Sequence, residues 1–261
     1  MSPSLRLEVD QRGVARMTLA RPEKHNALDA DLLDKLTEAA ARLGEDQSVR
    51  VVVLAAQGRT FCAGGDLGWM RAQMEADAPT REREARRLAG MLAALDKLPK
   101  PLIAAVQGPA FGGGVGLLSV CDVAVGVVDA AFAMTETRLG IIPATIGPYV
   151  LARIGEPACR RLMLPARRFG AREALGLGLL SRTVPDDRLL AAVEEEIGLI
   201  LACAPGAIAD AKALIRALRP VTAEMVERSA DALVARWGTA EAQEGVRAFF
   251  DRADPPWVRP A

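Results

Sequence analysis

The run Phe61-Cys62-Ala63-Gly64-Gly65-Asp66-Leu67 and its later counterpart Gly108-Pro109-Ala110-Phe111-Gly112-Gly113-Gly114-Val115-Gly116 decide the architecture. Val51-Val52-Val53-Leu54 precedes the first, and Leu102-Ile103-Ala104-Ala105-Val106 precedes the second. Unbroken apolar runs of this kind are what strands buried on both faces show. After the first turn, Leu88, Met91, Leu92, Leu95 and Leu98 recur at helical spacing; after the second, a short apolar helix leads to a third strand over Val123–Val127. Strand, turn and helix in series predict an α/β fold with mostly parallel strands.

Working outward, Leu5, Leu7 and Val9 alternate before Gly13, and Ala15, Met17 and Leu19 after it. That pattern predicts a hairpin turning at Gln11-Arg12-Gly13. Leu32, Leu33, Leu36, Ala39, Ala40 and Leu43 predict a helix over 31–43, with Gly44 as its stop. Beyond Pro157 the pattern turns to successive helices, including Leu189–Leu201, 207–218 and 223–234, with one further strand at 181–184. The organisation expected is an α/β core over 1–190 carrying the site, and a helical region over 191–261.

Composition narrows the chemistry. Among 261 residues Lys+Arg and Asp+Glu both number 33, so no nucleic-acid partner is expected. The sign-alternating run from Arg81 to Arg87 reads as a solvated helix face. The single histidine, His25, excludes zinc sites built on several imidazoles of one chain. No Gly-x-Ser-x-Gly elbow accompanies it, and no metal is expected. The four scattered cysteines suit a reducing compartment. Charges at Arg6, Glu8, Asp10 and Arg12 leave no secretory signal pattern. The one uncharged run of membrane-spanning length, Pro101 to Cys121, is broken by Pro109 and its glycines and does not read as a roughly 18-residue apolar span. The expectation is a cytoplasmic protein with no membrane partner.

Backbone N–H groups at a strand-to-helix junction lack intrahelical partners, and glycine lets a ligand approach them. Neither turn ends in the Gly-Lys-Ser/Thr of a phosphate loop, and Gly112-x-Gly114-x-Gly116 lacks the third glycine of a dinucleotide fingerprint. Two such turns suit a different task, converging two amides on one developing oxyanion.

Arg21-Pro22-x-x-x-Asn26-Ala27-Leu28, the run from Phe61 to Leu67, Gly112-Gly113-Gly114 followed by Cys121-Asp122, and Glu136-x-x-Leu139-Gly140-x-x-Pro143 stand in the order and spacing of the enoyl-CoA hydratase/isomerase (crotonase) family. The resemblance extends from about Leu5 to Phe250. It implies a spiral of β-β-α units followed by a helical trimerisation region, a homotrimer or dimer of trimers, and an acyl-CoA thioester substrate. No cofactor is implied, coenzyme A being part of the substrate. By match, the N–H groups of Ala63 and Gly113 would hold the thioester oxygen, residues Ala63, Gly64, Gly65 and Asp66 would line the substrate channel, and Lys24 would meet a phosphate of coenzyme A. Asp66 reads equally well as a helix cap.

Family hydratases place two glutamates about the substrate double bond. Glu136 matches the one serving the α-carbon; the position of the other is Gly116. Three readings follow: a one-carboxylate hydratase, an isomerase shifting a 3-enoyl to a 2-enoyl double bond with one base, and a non-catalytic acyl-CoA-binding oligomer. The run from Thr135 to Val150 resembles the bacterial branch acting on 3-methylglutaconyl-CoA and related branched thioesters, as in leucine breakdown, which favours hydration. Trp69 and Met70 are candidates for the acyl pocket or for the core. His25 is expected in an exposed loop, Asp122 in a structural role, Tyr149 as a minor candidate near the site, and Phe249 and Phe250 in helix packing.

Overall fold

The computed structural model describes residues 4–218 and 221–258. Strands β1 (Leu5–Val9) and β2 (Val14–Leu19) form the expected antiparallel hairpin, with Leu7 opposite Met17. Gly13 takes φ 81 at its turn, and a Cβ there would meet the Ser48 carbonyl oxygen at 2.3 Å. Helix α1 (Ala30–Glu45) buries the six apolar residues expected of it, Leu32, Leu33, Leu36, Ala39, Ala40 and Leu43. Burying each leucine is worth about 2 kcal/mol. Asp29 caps this helix by accepting from the Leu32 N–H at 3.0 Å. Gly44 does not stop it: the helix continues to Glu45 and ends at Asp46. Gly44 instead makes room for Pro99, whose Cδ would lie 3.2 Å from a Cβ at that position.

The alternation continues through β3 (Val51–Ala56), α2 (Leu67–Glu75), α3 (Ala78–Lys97), β4 (Leu102–Val106), β5 (Ala110–Phe111), α4 (Gly113–Ser119), β6 (Val123–Val127) and β7 (Ala131–Ala133). After these come α5 (Gly147–Met163), β8 (Phe169–Gly170), α6 (Ala171–Gly176), β9 (Arg182–Val184), α7 (Leu189–Leu201), α8 (Pro205–Leu218), α9 (Ala223–Trp237) and α10 (Ala240–Asp251). The main sheet has the order β1-β2-β3-β4-β6-β9, and every pairing beyond the hairpin is parallel. Val51 to Leu54 and Leu102 to Ala104 are fully buried, as unbroken apolar strands require. Helix α7 packs on β3, β4 and β6, so the helical part of the chain begins against the sheet.

A second sheet, β5-β7-β8, brings the site together. Its strands of two or three residues are too short for periodicity to show. Ala110 pairs with Phe132, and the Gly112 N–H donates to the Ala133 carbonyl at 2.9 Å. On the other side, Phe111 N–H donates to Cys62 O at 2.9 Å and Phe61 N–H to Pro109 O at 3.0 Å. Backbone hydrogen bonds thereby hold the two glycine turns and the segment leading to Glu136 side by side.

Candidate active site

Between these segments lies a cavity of about 460 Å³ lined by both glycine turns, the 3₁₀ turn Glu136–Leu139, and side chains of α9 and α10. Its wall is largely apolar, and Glu136 and Arg138 are the charged residues along it. Glu136 Oε2 is buried and has no hydrogen-bond partner among the described residues. Burial pushes the Glu136 carboxyl up from its ordinary value to about 7, opposed only by its own backbone N–H. Removing water disfavours the charged form, so the group holds or gives a proton near neutral pH.

The amides around the carboxylate differ in what they can do. Ala63 lines the cavity, yet its N–H donates to the His25 carbonyl at 3.0 Å and is not free for a thioester oxygen. The Gly64 amide is engaged with the Cys62 sulfur, a buried thiol pushed up to about 12 by desolvation. The next amide, that of Gly65, has no partner among the described residues, and neither has that of Gly113; both residues line the cavity. The donor expected at Ala63 therefore moves to Gly65, because the loop preceding the first turn uses the Ala63 N–H to anchor itself.

Glycine is required where the turns touch. Gly64 has φ 91, and a Cβ there would sit 3.0 Å from the Phe111 carbonyl oxygen and 3.6 Å from the Gly113 nitrogen. A Cβ on Gly113 would lie 2.7 Å from Leu28 Cδ1. A side chain at Gly64 would press on the second turn, and one at Gly113 would displace Leu28.

Asp66 is a cap rather than a channel residue. Its Oδ1 accepts from the Gly68 and Trp69 N–H groups at the start of α2, and its Oδ2 pairs with Arg21 at 3.2 Å. It does not line the cavity. Arg21 also pairs with Asp29 at 2.8 Å and donates to Ala27 O at 2.7 Å. Asn26, fully buried, accepts from the Arg21 N–H and donates to Gln57 O and Thr60 O. The Arg-Pro-x-x-x-Asn motif thus staples the loop whose His25 carbonyl occupies the Ala63 amide. His25 is exposed, with Nδ1 3.1 Å from Thr60 Oγ1. Lys24 is exposed beside it and does not line the cavity.

At Gly116 the space a side chain would need is filled. A Cβ would come 2.4 Å from Ile146 Cγ2 and 3.6 Å from Leu92 Cδ2. An aliphatic residue of the 140s loop stands where the other carboxylate would begin. Tyr149 is 1% exposed on α5 and lies outside the cavity lining. Asp122 accepts from the Leu102 N–H at 2.7 Å and from Lys212 at 2.6 Å, a structural role. Trp69 and Met70 do line the cavity, as does Phe249; Phe250 instead lies under the Arg71 guanidinium, 4.2 Å from ring centroid to its carbon. Leu28, Arg138, Leu233 and Trp237 also line the cavity, and nothing in the sequence marks them for it. Leu233 and Trp237 come from a helix about 100 residues beyond Glu136 and carry no motif.

A buried carboxyl and two unpartnered amides line one cavity beyond the ends of the central strands β3 and β4. The model of the family described as enoyl-CoA hydratase/isomerase matches residues 9–260, and the chain belongs to that family. It is 34% identical over 264 residues to carnitinyl-CoA dehydratase of Proteus mirabilis, covering 98% of this chain and 99% of that one. It is 37% identical over 212 residues to enoyl-CoA hydratase AKT6-1 of Alternaria alternata, covering 81% and 69%. The crystal structure of an enoyl-CoA hydratase from Mycobacterium avium superimposes with a TM-score of 0.85 at 32% identity, over 99% and 100% of the two chains. The fold is that of the crotonase family. No single helix among the described residues is long and apolar enough to cross a membrane.

Proposed function

We propose that the protein adds water to a 2-enoyl-CoA thioester, or removes it in the reverse direction, with Glu136 as the sole acid–base group. The observation that carries this is the buried Glu136 carboxylate, unpartnered at Oε2 and pushed up to about 7, in a cavity shared with the Gly65 and Gly113 amides. Ionised Glu136 takes a proton from water as the water oxygen bonds the β-carbon. The double-bond electrons move onto the thioester oxygen, where the two amides stabilise the enolate, each donor being worth about 3 kcal/mol. Collapse of the enolate draws the proton from Glu136 to the α-carbon, restoring the carboxylate. Both proton transfers use one face of the substrate.

For the acyl group we propose a branched glutaconyl thioester such as 3-methylglutaconyl-CoA. Arg138, the one basic residue among the described residues lining the cavity, supports this reading as a partner for the second carboxylate. The second reading, isomerisation of a 3-enoyl-CoA, is favoured by Ile146, which fills the space at Gly116 and leaves a single base.

A homotrimer is part of the proposal. Helix α8 buries none of its residues within the chain, and Leu214, Ile215 and Leu218 on it are 59%, 67% and 78% exposed. Apolar faces of that kind mark association surfaces.

The test is loss of the conjugated enoyl-thioester absorbance on mixing the protein with 3-methylglutaconyl-CoA. Turnover that falls at least 100-fold in Glu136→Gln supports one-glutamate hydration. Undiminished turnover in that variant overturns it, and turnover of a 3-enoyl-CoA alone turns the assignment to isomerisation.

A further inference from the structure

Trp69 stands where the cavity meets the second apolar cluster of the molecule. Its ring lines the cavity and meets Trp237 edge-on, with centroids 5.8 Å apart and planes at 74°. Its Cε3 lies 3.7 Å from where a Cβ on Gly65 would be, so the ring also backs the turn bearing the free Gly65 amide. The apolar cluster consists of Ala85, Ala89, Ile141, Ala230, Leu233, Trp237 and Ala242, and Ile141, Leu233 and Trp237 also line the cavity. Trp69 packs against the cluster and lines the cavity at once.

What holds the ring there is a buried carboxylate. The Trp69 Nε1–H donates to Glu84 Oε2 at 2.9 Å, and Glu84 is only 5% exposed. Buried carboxylates persist when paired and hydrogen-bonded. Arg87 Nη1 donates to both oxygens of Glu84, at 2.7 and 2.8 Å, and Arg87 Nε pairs with Asp34 on α1 at 3.0 Å. The pair is therefore braced from α1, and the carboxylate turns its remaining hydrogen-bonding capacity on the indole.

We infer that Glu84 is a positioning residue that limits the length of acyl group the cavity accepts, by fixing the Trp69 indole against Trp237. The inference rests on reading the cavity as an acyl-CoA site. A tryptophan held in one rotamer is a rigid wall. Released from Glu84 it is free to swing, and the cavity opens toward the cluster between α3 and α9. Short acyl thioesters are the ligands that the native wall favours.

The test is calorimetric titration of the full-length protein with butyryl-CoA and decanoyl-CoA, saturated esters that do not react. In Glu84→Leu and in Trp69→Phe the ratio of affinities shifts toward decanoyl-CoA by fivefold or more. The double variant shifts no further than the larger single one, because both changes break one contact. Glu84→Gln, which keeps an acceptor for the indole, retains the native ratio. Trp69→Phe leaves the Glu84–Arg87 pair intact, and if Glu84→Leu fails to fold an unchanged ratio in Trp69→Phe still overturns the inference. An unchanged ratio in Trp69→Phe or in a folded Glu84→Leu, additive shifts, or a Glu84→Gln shift equal to that of Glu84→Leu overturns the inference alone. Failure of the native protein to bind either ester overturns the functional reading, and the inference with it.

Discussion

Gly112 leaves the space that the Glu136 carboxylate occupies: a Cβ on residue 112 would come 3.0 Å from Oε1 and 3.6 Å from Cδ. The backbone there, at φ 48 and ψ −115, is also one that side-chain-bearing residues rarely adopt. Gly112→Ala therefore displaces the carboxylate as well as straining the turn. The expected outcome is a fall in kcat of about 100-fold, the scale of a misplaced acid–base group. The Kd for a saturated acyl-CoA should change much less, and measuring both separates proton transfer from binding.

The raised pKa of Glu136 carries a stability signature. Its carboxyl is pushed from 4.5 to about 7 on folding, so the folded state binds the proton more tightly than the unfolded chain. Its contribution is most favourable below about 4.5, declines as pH rises to about 7, and is level above that. The ionised group costs about 3 kcal/mol of stability at pH 8. Thermal unfolding of Glu136→Gln should show a Tm above that of the native protein at pH 8, with the gap closing toward pH 5. In the native enzyme kcat/KM should fall as pH drops through about 7, because the ionised form accepts the first proton.

Gly116 and Ile146 compete for one volume. A Cβ at 116 meets Ile146 Cγ2 at 2.4 Å inside a packed region, so Gly116→Ala overpacks it. A loss of about 1–3 kcal/mol is expected in denaturant titration. Ile146→Ala removes the opposing methyl, and the double variant should be more stable than the sum of the two single losses predicts. Simple additivity would show that the contact relaxes without cost.

Asp66 distinguishes a cap from a ligand. Asp66→Ala removes the acceptor for two N–H groups of α2 and the partner of Arg21, at a cost of about 1 kcal/mol or somewhat more. Affinity for butyryl-CoA should stay within about twofold at a temperature where the variant is folded, since the carboxylate lies outside the cavity lining. A tenfold loss of affinity would return Asp66 to the substrate channel.

Light scattering tests the exposed face of α8. The native protein should have the mass of three chains or of six. Ile215→Glu places a charge on the apolar face and should yield monomers that retain helical circular dichroism. A native monomer would overturn the proposed assembly.

The strands at 51–54 and 102–106, the α1 face from Leu32 to Leu43 and the start of the Leu189–Leu201 helix are legible along the chain, because burial of a whole strand or helix face repeats at the period of the element. The residues of the glycine turns and of the segment around Glu136 are likewise legible, through the order and spacing of their motifs. Which amide of the first turn is free is not. That depends on the His25 carbonyl claiming the Ala63 N–H, a contact set by a loop that Asn26 and Arg21 staple from elsewhere. Ile146 at the Gly116 site and Trp237 against Trp69 are hidden for the same reason: residues far apart in sequence carry no shared period or spacing. The alternation of strands and helices, the family and the presence of one candidate acid–base residue are written along the chain, because local periodicity and motif spacing encode them. The desolvation of Glu136, the move of the first free amide from Ala63 to Gly65, and the capping role of Asp66 come from the folded packing. Burial and hydrogen-bond occupancy are settled by what other parts of the chain bring into contact.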